Sequence, residues 1–499
     1  MNTQIKIGWS RRDTTPQGRC MLAGQMGNRL SEGVLDPLST TVLALENNGE
    51  KVIIISLDAA AFSDGLADAV REKVSGTTGI PGENIMASVT HTHTAPQYGE
   101  IVPPEKSMEL YFPSPEKRFK RLGNRGIDVE EMHRQYPDFI DSEQYFDFLT
   151  EQISAAAIEA WEKRAPGKIS YGQGTAVVGE CRRLTTADKG GWMYALEDDP
   201  AMLHAEGHVD HTVNILSTYD NSGKLTGILV NIACPSQVSE AWRVVSADYW
   251  HDVRQEVAAR FGEIYLLPQC SCAGDISPHK LLGRKADERM MLLRSQQSAP
   301  LPDWKWQTRV YDQDYGLARR KEIARRIAVA LEDVLPVIAP AAESAPVLKK
   351  VFKPLALPPR TVTKEEAENA AKDIQKNLEV LAANNVNYSG SVPAQLRVIH
   401  NYENPPSAVN VELHVLRIGD VVFATNSFEY YLDYGDRIKG ASKAVQTFLV
   451  QLASGRGSYL PSSRSGTSGY GSWPSSCIVS PDGGDILLKE TVNEINKLF

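Results

Sequence analysis

The sequence predicts a mixed α/β fold, on three observations. Short continuous apolar runs such as Lys51-Val-Ile-Ile-Ile-Ser-Leu-Asp58 have the length and composition of strands buried on both faces. Longer stretches between them carry apolar residues at helical spacing. The order of strand, helix and strand across residues 51–90 implies two parallel neighbours in one sheet.

In chain order, residues 4–60 read as strands with a polar loop. A helix follows from about Ser63 to Ser75, with Ser63 and Asp64 as candidates for its cap. The next strand runs into Thr90-His-Thr-His-Thr-Ala-Pro96. In an extended chain side chains alternate faces, so His91 and His93 point the same way. Such a pair can hold a metal, or divide into one ligand and one proton carrier, or simply pack as surface or core histidines. From residue 101 to about 141 the composition turns to Pro, Lys, Arg and Glu, a long insertion read either as a functional surface excursion or as disorder. Ser142 to Lys163 is an amphipathic helix whose inward stripe is Tyr145, Leu149, Ile153, Ala156, Ala160 and Trp161.

Residues 168–232 are mostly β, and their last strand ends in Cys234-Pro-Ser-Gln237. A helix over Tyr249–Phe261 leads to an apolar strand ending in Gly274-Asp-Ile-Ser-Pro, where Gly274 permits a tight turn. Two long helices span about Gly316–Leu335 and Thr363–Ala383, the second opening on the capping box Thr363-x-x-Glu366. Between them, 336–359 is Pro- and Ala-rich and reads as an internal linker. Strands at 408–425 lead to Asn-Ser-Phe-Glu429. The Gly/Ser-rich stretch 454–476 is followed by a closing helix, so an ordered loop is expected there.

Composition narrows the function classes. A formal charge of −9 argues against a nucleic-acid partner, because phosphate binding wants a basic footprint. No run approaches the roughly 18 apolar residues that span a bilayer. Six cysteines are too sparse for a disulfide framework, and no basic, apolar leader opens the chain, so a cytoplasmic protein is expected. Neither a P-loop nor a dinucleotide fingerprint is present. Cys270-Ser-Cys272 has no partner pair and reads as buried thiols.

Four apolar strands therefore end in reactive side chains: His91 and His93, Cys234 and Gln237, Asp275 and Ser277, and Glu429. Sheet enzymes gather their sites at one edge of the strands. Each member also has an ordinary structural reading as a cap, a turn residue or a solvated acid.

Taken together, His91-Thr-His-Thr-Ala-Pro, Gly274-Asp-Ile-Ser-Pro, the opening Ile7-Gly-Trp-Ser-Arg-Arg-Asp-Thr-Thr-Pro and Ser246-Ala-Asp-Tyr resemble the neutral/alkaline non-lysosomal ceramidase family. The resemblance runs from about residue 5 to 495 and implies one catalytic domain with two central β-sheets flanked by helices. It implies a metal-dependent amidase, acting on C–N bonds other than peptide bonds, with zinc or another divalent ion as cofactor. On that resemblance His91, Glu429 and Tyr459 match metal ligands, although Pro and Gly of the family's Pro-Gly-Glu are replaced before Glu429. His93 matches the general base, and Arg182 a substrate-holding arginine. Tyr470 matches the tyrosine at the reacting carbonyl, and Ser277 an essential serine, either nucleophile or hydrogen-bonding partner.

Two departures stand out. Where the family has a second zinc histidine, this chain reads Cys234-Pro-Ser-Gln237; Cys234, Gln237, His211 and His251 are the candidate substitutes. The chain also lacks the family's C-terminal immunoglobulin-like domain, so a small soluble amide or ester is expected as substrate rather than bilayer ceramide. Two alternatives accompany this reading. One is a carbohydrate-active hydrolase or lyase, with Trp192, Trp242, Trp250 and Trp473 as sugar-stacking candidates. The other is a catalytically inactive binding protein.

Overall fold

Alternation along the apolar strands sets the order of the layers. In Ser39–Asn47, Leu43 and Leu45 turn to one side, Val42 and Ala44 to the other, and both sides are buried. Glu50–Leu57 repeats this with Val52 and Ile54 against Ile53, Ile55 and Leu57. Strands apolar on both faces must lie between two covering layers. The computed structural model describes residues 4–25, 27–98, 129–188, 190–194, 199–294, 313–384, 391–455, 457–465 and 468–499. It is a four-layer arrangement of helices, sheet, sheet and helices, as expected.

The first sheet has eight strands in the spatial order Tyr265–Cys270, Leu225–Ile232, Thr212–Asp220, Ala165–Thr175, Lys6–Asp13, Ser39–Asn47, Glu50–Leu57 and Ile85–Val89. The second has four, ordered Leu348–Leu357, Val409–Ile418, Val421–Thr425 and Gln446–Val450. Their inner faces share one core, in which Leu43, Ile54, Leu229 and Leu267 meet Leu416, Phe423, Phe448 and Val450. Helices Asp64–Thr78 and Ser142–Glu162 cover one half of the outer face of the first sheet. Tyr249–Phe261 and Gln313–Ile338 cover the other half. Leu432–Ala441 and Pro481–Lys497 cover the second sheet.

Within the two large sheets three strand pairs are parallel, each joined through a helix: Glu50–Leu57 with Ile85–Val89, Leu225–Ile232 with Tyr265–Cys270, and Val421–Thr425 with Gln446–Val450. Several helices start where their caps dictate. The Ser63 side chain accepts from the Leu66 amide, and Asp141 with Gln144 forms a capping box before Ser142–Glu162. The expected stripe from Tyr145 to Trp161 is buried. Thr363 and Glu366 close the second capping box with bonds of 2.9 and 3.2 Å.

The stretch 336–359, expected as a linker, is no linker. It holds the end of Gln313–Ile338, a single 3-10 turn and the ten-residue strand Leu348–Leu357. Of its six prolines, two fall inside the helix and the strand and occupy tolerant places: Pro336 in the last turn of a helix, and Pro354 on an edge strand. Most of the insertion, residues 101–128, lies outside the described residues. Its last part forms the helix Val129–Gln135 and the short strand Phe139–Ile140 against Arg19–Cys20. Among the described residues no helix is long and apolar enough to cross a membrane.

One ion pair ties the outer helix layer to the second sheet. Arg71 on Asp64–Thr78 grips Glu412 with Nη1 and Nη2 at 2.9 and 2.7 Å. Burial alone would raise the Glu412 carboxyl, but His414 and Arg71 bring it down from 4.5 to about 2. A folded value below the unfolded one stabilises the fold above the unfolded pKa, and this is lost as pH falls through the folded pKa. Denaturant unfolding should therefore show the largest gap between wild type and Arg71→Leu at about pH 7, narrowing at about pH 3. An unchanged gap would contradict this linkage.

Candidate active site

The C-terminal ends of the parallel strands all open towards one place. Beyond Ile85–Val89 lie His91 and His93; beyond Leu225–Ile232, Gln237 and Glu240; beyond Tyr265–Cys270, Gly274 to Ser277. From the second sheet come Glu429, after Val421–Thr425, and Tyr459, after Gln446–Val450. Glu429 and Tyr459 pair directly as a two-residue parallel bridge. The segments interlock: the Gly274 amide donates to the Tyr430 carbonyl at 2.9 Å, and the Ser454 amide to Ala87 at 2.9 Å. A Cβ on Gly274 would meet the Glu429 carbonyl oxygen at 2.4 Å, so only glycine admits this approach. His91, Leu452, Ser454 and Ser458 all carry positive φ, a concentration of costly backbone where the two sheets meet.

His91 donates Nδ1–H to the Ala60 carbonyl, which leaves its Nε2 lone pair facing the site. That atom lies 3.4 Å from Glu429 Oε2. Burial would raise the Glu429 carboxyl, yet His91, Arg182 and Tyr459 lower it to about 2. It is therefore an anion at any physiological pH. Arg182 is wholly buried and fans across the site: Nη1 to the Tyr194 hydroxyl at 2.9 Å, Nη2 to the Gly274 carbonyl at 2.8 Å and to the Tyr459 hydroxyl at 3.1 Å. Its Nη2 is 3.8 Å from Glu429. Burial holds the Tyr459 phenol well above its usual range despite Arg182, so it keeps its proton. Tyr470 stands edge-on to Tyr459 with ring centres 5.3 Å apart, its hydroxyl pushed up to about 12 by burial.

His93 is held between two groups. Nδ1 lies 3.4 Å from Glu240 Oε2, and Nε2 lies 2.8 Å from the Gln237 amide nitrogen and 3.4 Å from His91 Nε2. Burial first, then the neighbouring His91, keeps the ring well below its ordinary pKa, hence neutral. Gly24 lies against this ring, where a Cβ would come within 2.2 Å of it, and Arg29 donates to the His93 carbonyl at 2.5 Å. Glu240 is itself fixed by Gln25 at 2.9 Å.

The other expected residues divide. Ser277 is buried; its Oγ accepts from the His279 amide at 3.2 Å, and it bonds to the Tyr194 hydroxyl. Cys234 packs with Val238, Tyr249 and Trp250 on the outer face of the first sheet, and burial drives its thiol well up. It faces away from the site. Neither His211 nor His251 bonds to His91 or Glu429. Trp242 and Trp250 are core, whereas Trp192 and Trp473 are 37 % and 40 % exposed, in edge-to-face contact, and reach Tyr470 through Trp473. Cys270 and Cys272 are buried free thiols.

No family model and no curated protein matches this chain. Solved structures do. Neutral ceramidase from Pseudomonas aeruginosa superposes with a TM-score of 0.66 over 99% of this chain and 74% of its own, at 15% identity. A ceramidase complexed with C2 gives 0.65 over 99% and 75%, also at 15% identity. The fold is that of neutral ceramidase.

Within this ceramidase fold, the fit of the side chains to a divalent metal can be tested. Tetrahedral zinc with bonds of about 2.0–2.1 Å sets its ligand atoms about 3.4 Å apart. The His91 Nε2 to Glu429 Oε2 separation of 3.4 Å is such an edge. Among the described residues no three His, Cys, Asp or Glu side chains form a metal-holding group. A cation here would need donors of other types to complete its set. Tyr459 offers a neutral hydroxyl, and Gln237 a buried amide oxygen that has no hydrogen-bond partner. A cation held here would have more oxygen and less nitrogen around it than the resemblance implied.

Sequence reasoning missed Glu240, Tyr194, Arg29 and His279. Glu240 and His279 left a usable signal, an acid on the same strand-end segment as Gln237 and a histidine directly after Gly274-Asp-Ile-Ser-Pro278. The others arrive from loops whose approach only the folded chain shows.

Proposed function

We infer that the chain is a hydrolase that cleaves an acyl bond, an amide before an ester, in a small soluble substrate. What supports this is the convergence of His91, Glu429, Arg182 and Tyr459 at the ends of both sheets in a ceramidase fold. A divalent ion, zinc on the family resemblance, would be held by His91 Nε2, Glu429 and Tyr459, and there would polarise the scissile carbonyl.

The chain's own groups do the rest. Arg182 and the protonated Tyr470 hydroxyl donate to the oxyanion as the carbonyl becomes tetrahedral. His93, kept neutral by burial, takes the proton of the attacking water. It returns that proton to the amine as the C–N bond breaks. Ser277 is a hydrogen-bonding partner, because its neighbours are a backbone amide and a phenol rather than a base.

The exposed Trp192–Trp473 pair favours one second reading, in which the substrate carries a sugar ring stacked at the mouth of the site. A panel of N-acyl amines, acyl esters and glycosides should separate the two. Release of free amine by the wild type, and none by Glu429→Gln, is expected. Glycoside cleavage with all acyl substrates intact would overturn the amidase reading.

A further inference from the structure

The threonines of Thr90-His-Thr-His-Thr94 take no part in the chemistry above, yet all three are tied to one neighbouring loop. The Thr90 carbonyl accepts from Ser236 Oγ at 2.7 Å and from the Ser236 amide at 3.3 Å. The hydroxyls of Thr92 and Thr94, which flank His93 in the chain, both donate to the Ser246 carbonyl at 2.9 Å. The Ser246 amide donates back to the Thr94 carbonyl at 3.0 Å. The loop from Ser236 to Ser246, which carries Gln237 and Glu240, is thus fastened to the histidine turn at both its ends. Arg29 adds a third tie across the middle. Its Nη1 donates to the carbonyls of Glu240 and Trp242 at 2.6 and 2.8 Å, and its Nη2 to the His93 carbonyl at 2.5 Å.

Ser246 is itself anchored in a buried cluster of charge. Its Oγ donates to Asp36 Oδ2 at 2.8 Å. Arg320, on Gln313–Ile338, donates to Ser246 Oγ at 3.1 Å and to the carboxylates of Asp36 and Asp252 at 2.7 Å each. Buried ion pairs contribute little net stability, because desolvation offsets their attraction. What they supply, and apolar packing does not, is direction: hydrogen bonds fix where a segment lies and how it is turned. Asp248, just beyond Ser246, adds to this. Its φ of +55° is costly for a residue other than glycine, and its carboxylate closes the loop on itself by accepting from the Val238 and Ser239 amides at 3.2 and 2.6 Å. Such strain persists only where the surroundings over-determine it.

We propose that Thr92, Thr94 and Arg29 are positioning residues, which hold His93 against the Gln237–Glu240 loop, with Ser246 and Arg320 as their anchor. This rests on the role of base given to His93 under Proposed function. Gln237 at 2.8 Å and Glu240 at 3.4 Å, two of the groups that flank the ring, both stand on that loop. A shift of the turn against the loop therefore displaces His93 from both together. A misplacement of about 1 Å can cost on the order of 10²-fold in rate.

The test sets Thr92→Val with Thr94→Val, which keeps shape and removes both hydroxyls, against Thr92→Ser with Thr94→Ser, which keeps the hydroxyls. Hydrolysis of N-acetyl-para-nitroaniline and its longer-chain N-acyl analogues gives kcat and KM. Melting gives stability, and the ring signal of isotope-labelled His93, assigned by its loss in His93→Ala, gives local order. The valine pair is expected to lower kcat by about 10–10²-fold with KM within about twofold. It should also broaden or split the His93 signal at a temperature where the variant is fully folded, and the serine pair should restore both. Arg29→Lys, without the fork that spans the carbonyls of His93, Glu240 and Trp242, should behave like the valine pair. A valine pair with wild-type kcat and one sharp His93 signal, or one whose rate falls only as far as its folded fraction falls, overturns the positioning role. A wild type that cleaves none of these amides, while the His93 signal responds as expected, overturns the amidase reading and supports the brace.

Discussion

Replacing His91 by alanine is expected to remove bound divalent metal and turnover together. Its Nε2 lies 3.4 Å from Glu429, and among the described residues no group of three or more His, Cys, Asp or Glu side chains could hold a metal ion. Loss of Lewis-acid stabilisation costs several kcal/mol, and about 4 kcal/mol is a factor of ~10³ in rate. Metal analysis should find about one equivalent in the wild type and close to none in the variant. His91 sits at φ +61°, so His91→Asn, which accepts that backbone more readily than alanine, provides the second variant against misfolding. Full turnover by both variants after exhaustive chelation would remove His91 from the reaction.

The second large effect is expected at Arg182. Arg182→Lys keeps the charge but loses the planar fork that reaches Tyr194, Gly274 and Tyr459 at once. Removal of one oxyanion donor typically costs about 10²–10³ in kcat, and that loss is expected here with KM much less affected. The neighbouring Arg183 gives the contrast. It binds Glu206 and the carbonyls of Ser465, Ser468 and Tyr470, and so holds the loop that carries Tyr470. Arg183→Lys should lower melting temperature before it lowers kcat. A uniform rise in KM with unchanged kcat in Arg182→Lys would reassign Arg182 to ground-state binding.

The fold could be read from the sequence wherever local chemistry and burial agreed. Runs such as Val52–Leu57 announce strands covered on both faces, and Ser63, Ser142 and Thr363 mark helix starts within a residue. Reading failed where position in the sheet overrode composition. Leu348–Leu357 tolerates Pro354 only because it is an edge strand, and edge position is a property of the assembled sheet. At the site, residues on the strand ends themselves were visible: His91, His93, Gln237 and Glu429 each follow an apolar run. Their partnerships were not. That Cys234 turns outward while Gln237, three residues on, meets His93 depends on the turn at Pro235 and its bonds to Thr90. That the second sheet's strand ends meet those of the first, bringing Tyr459 to Arg182, depends on long-range packing with no local signature.

The most direct measurement is anomalous diffraction from crystals grown with zinc, recorded on both sides of its absorption edge. A single peak within about 2.0–2.2 Å of both His91 Nε2 and the Glu429 carboxylate is the expected result. A map with no peak at that point, or with the ion bound elsewhere and His91 still facing Glu429 alone, would contradict the metal-dependent reading proposed for this site.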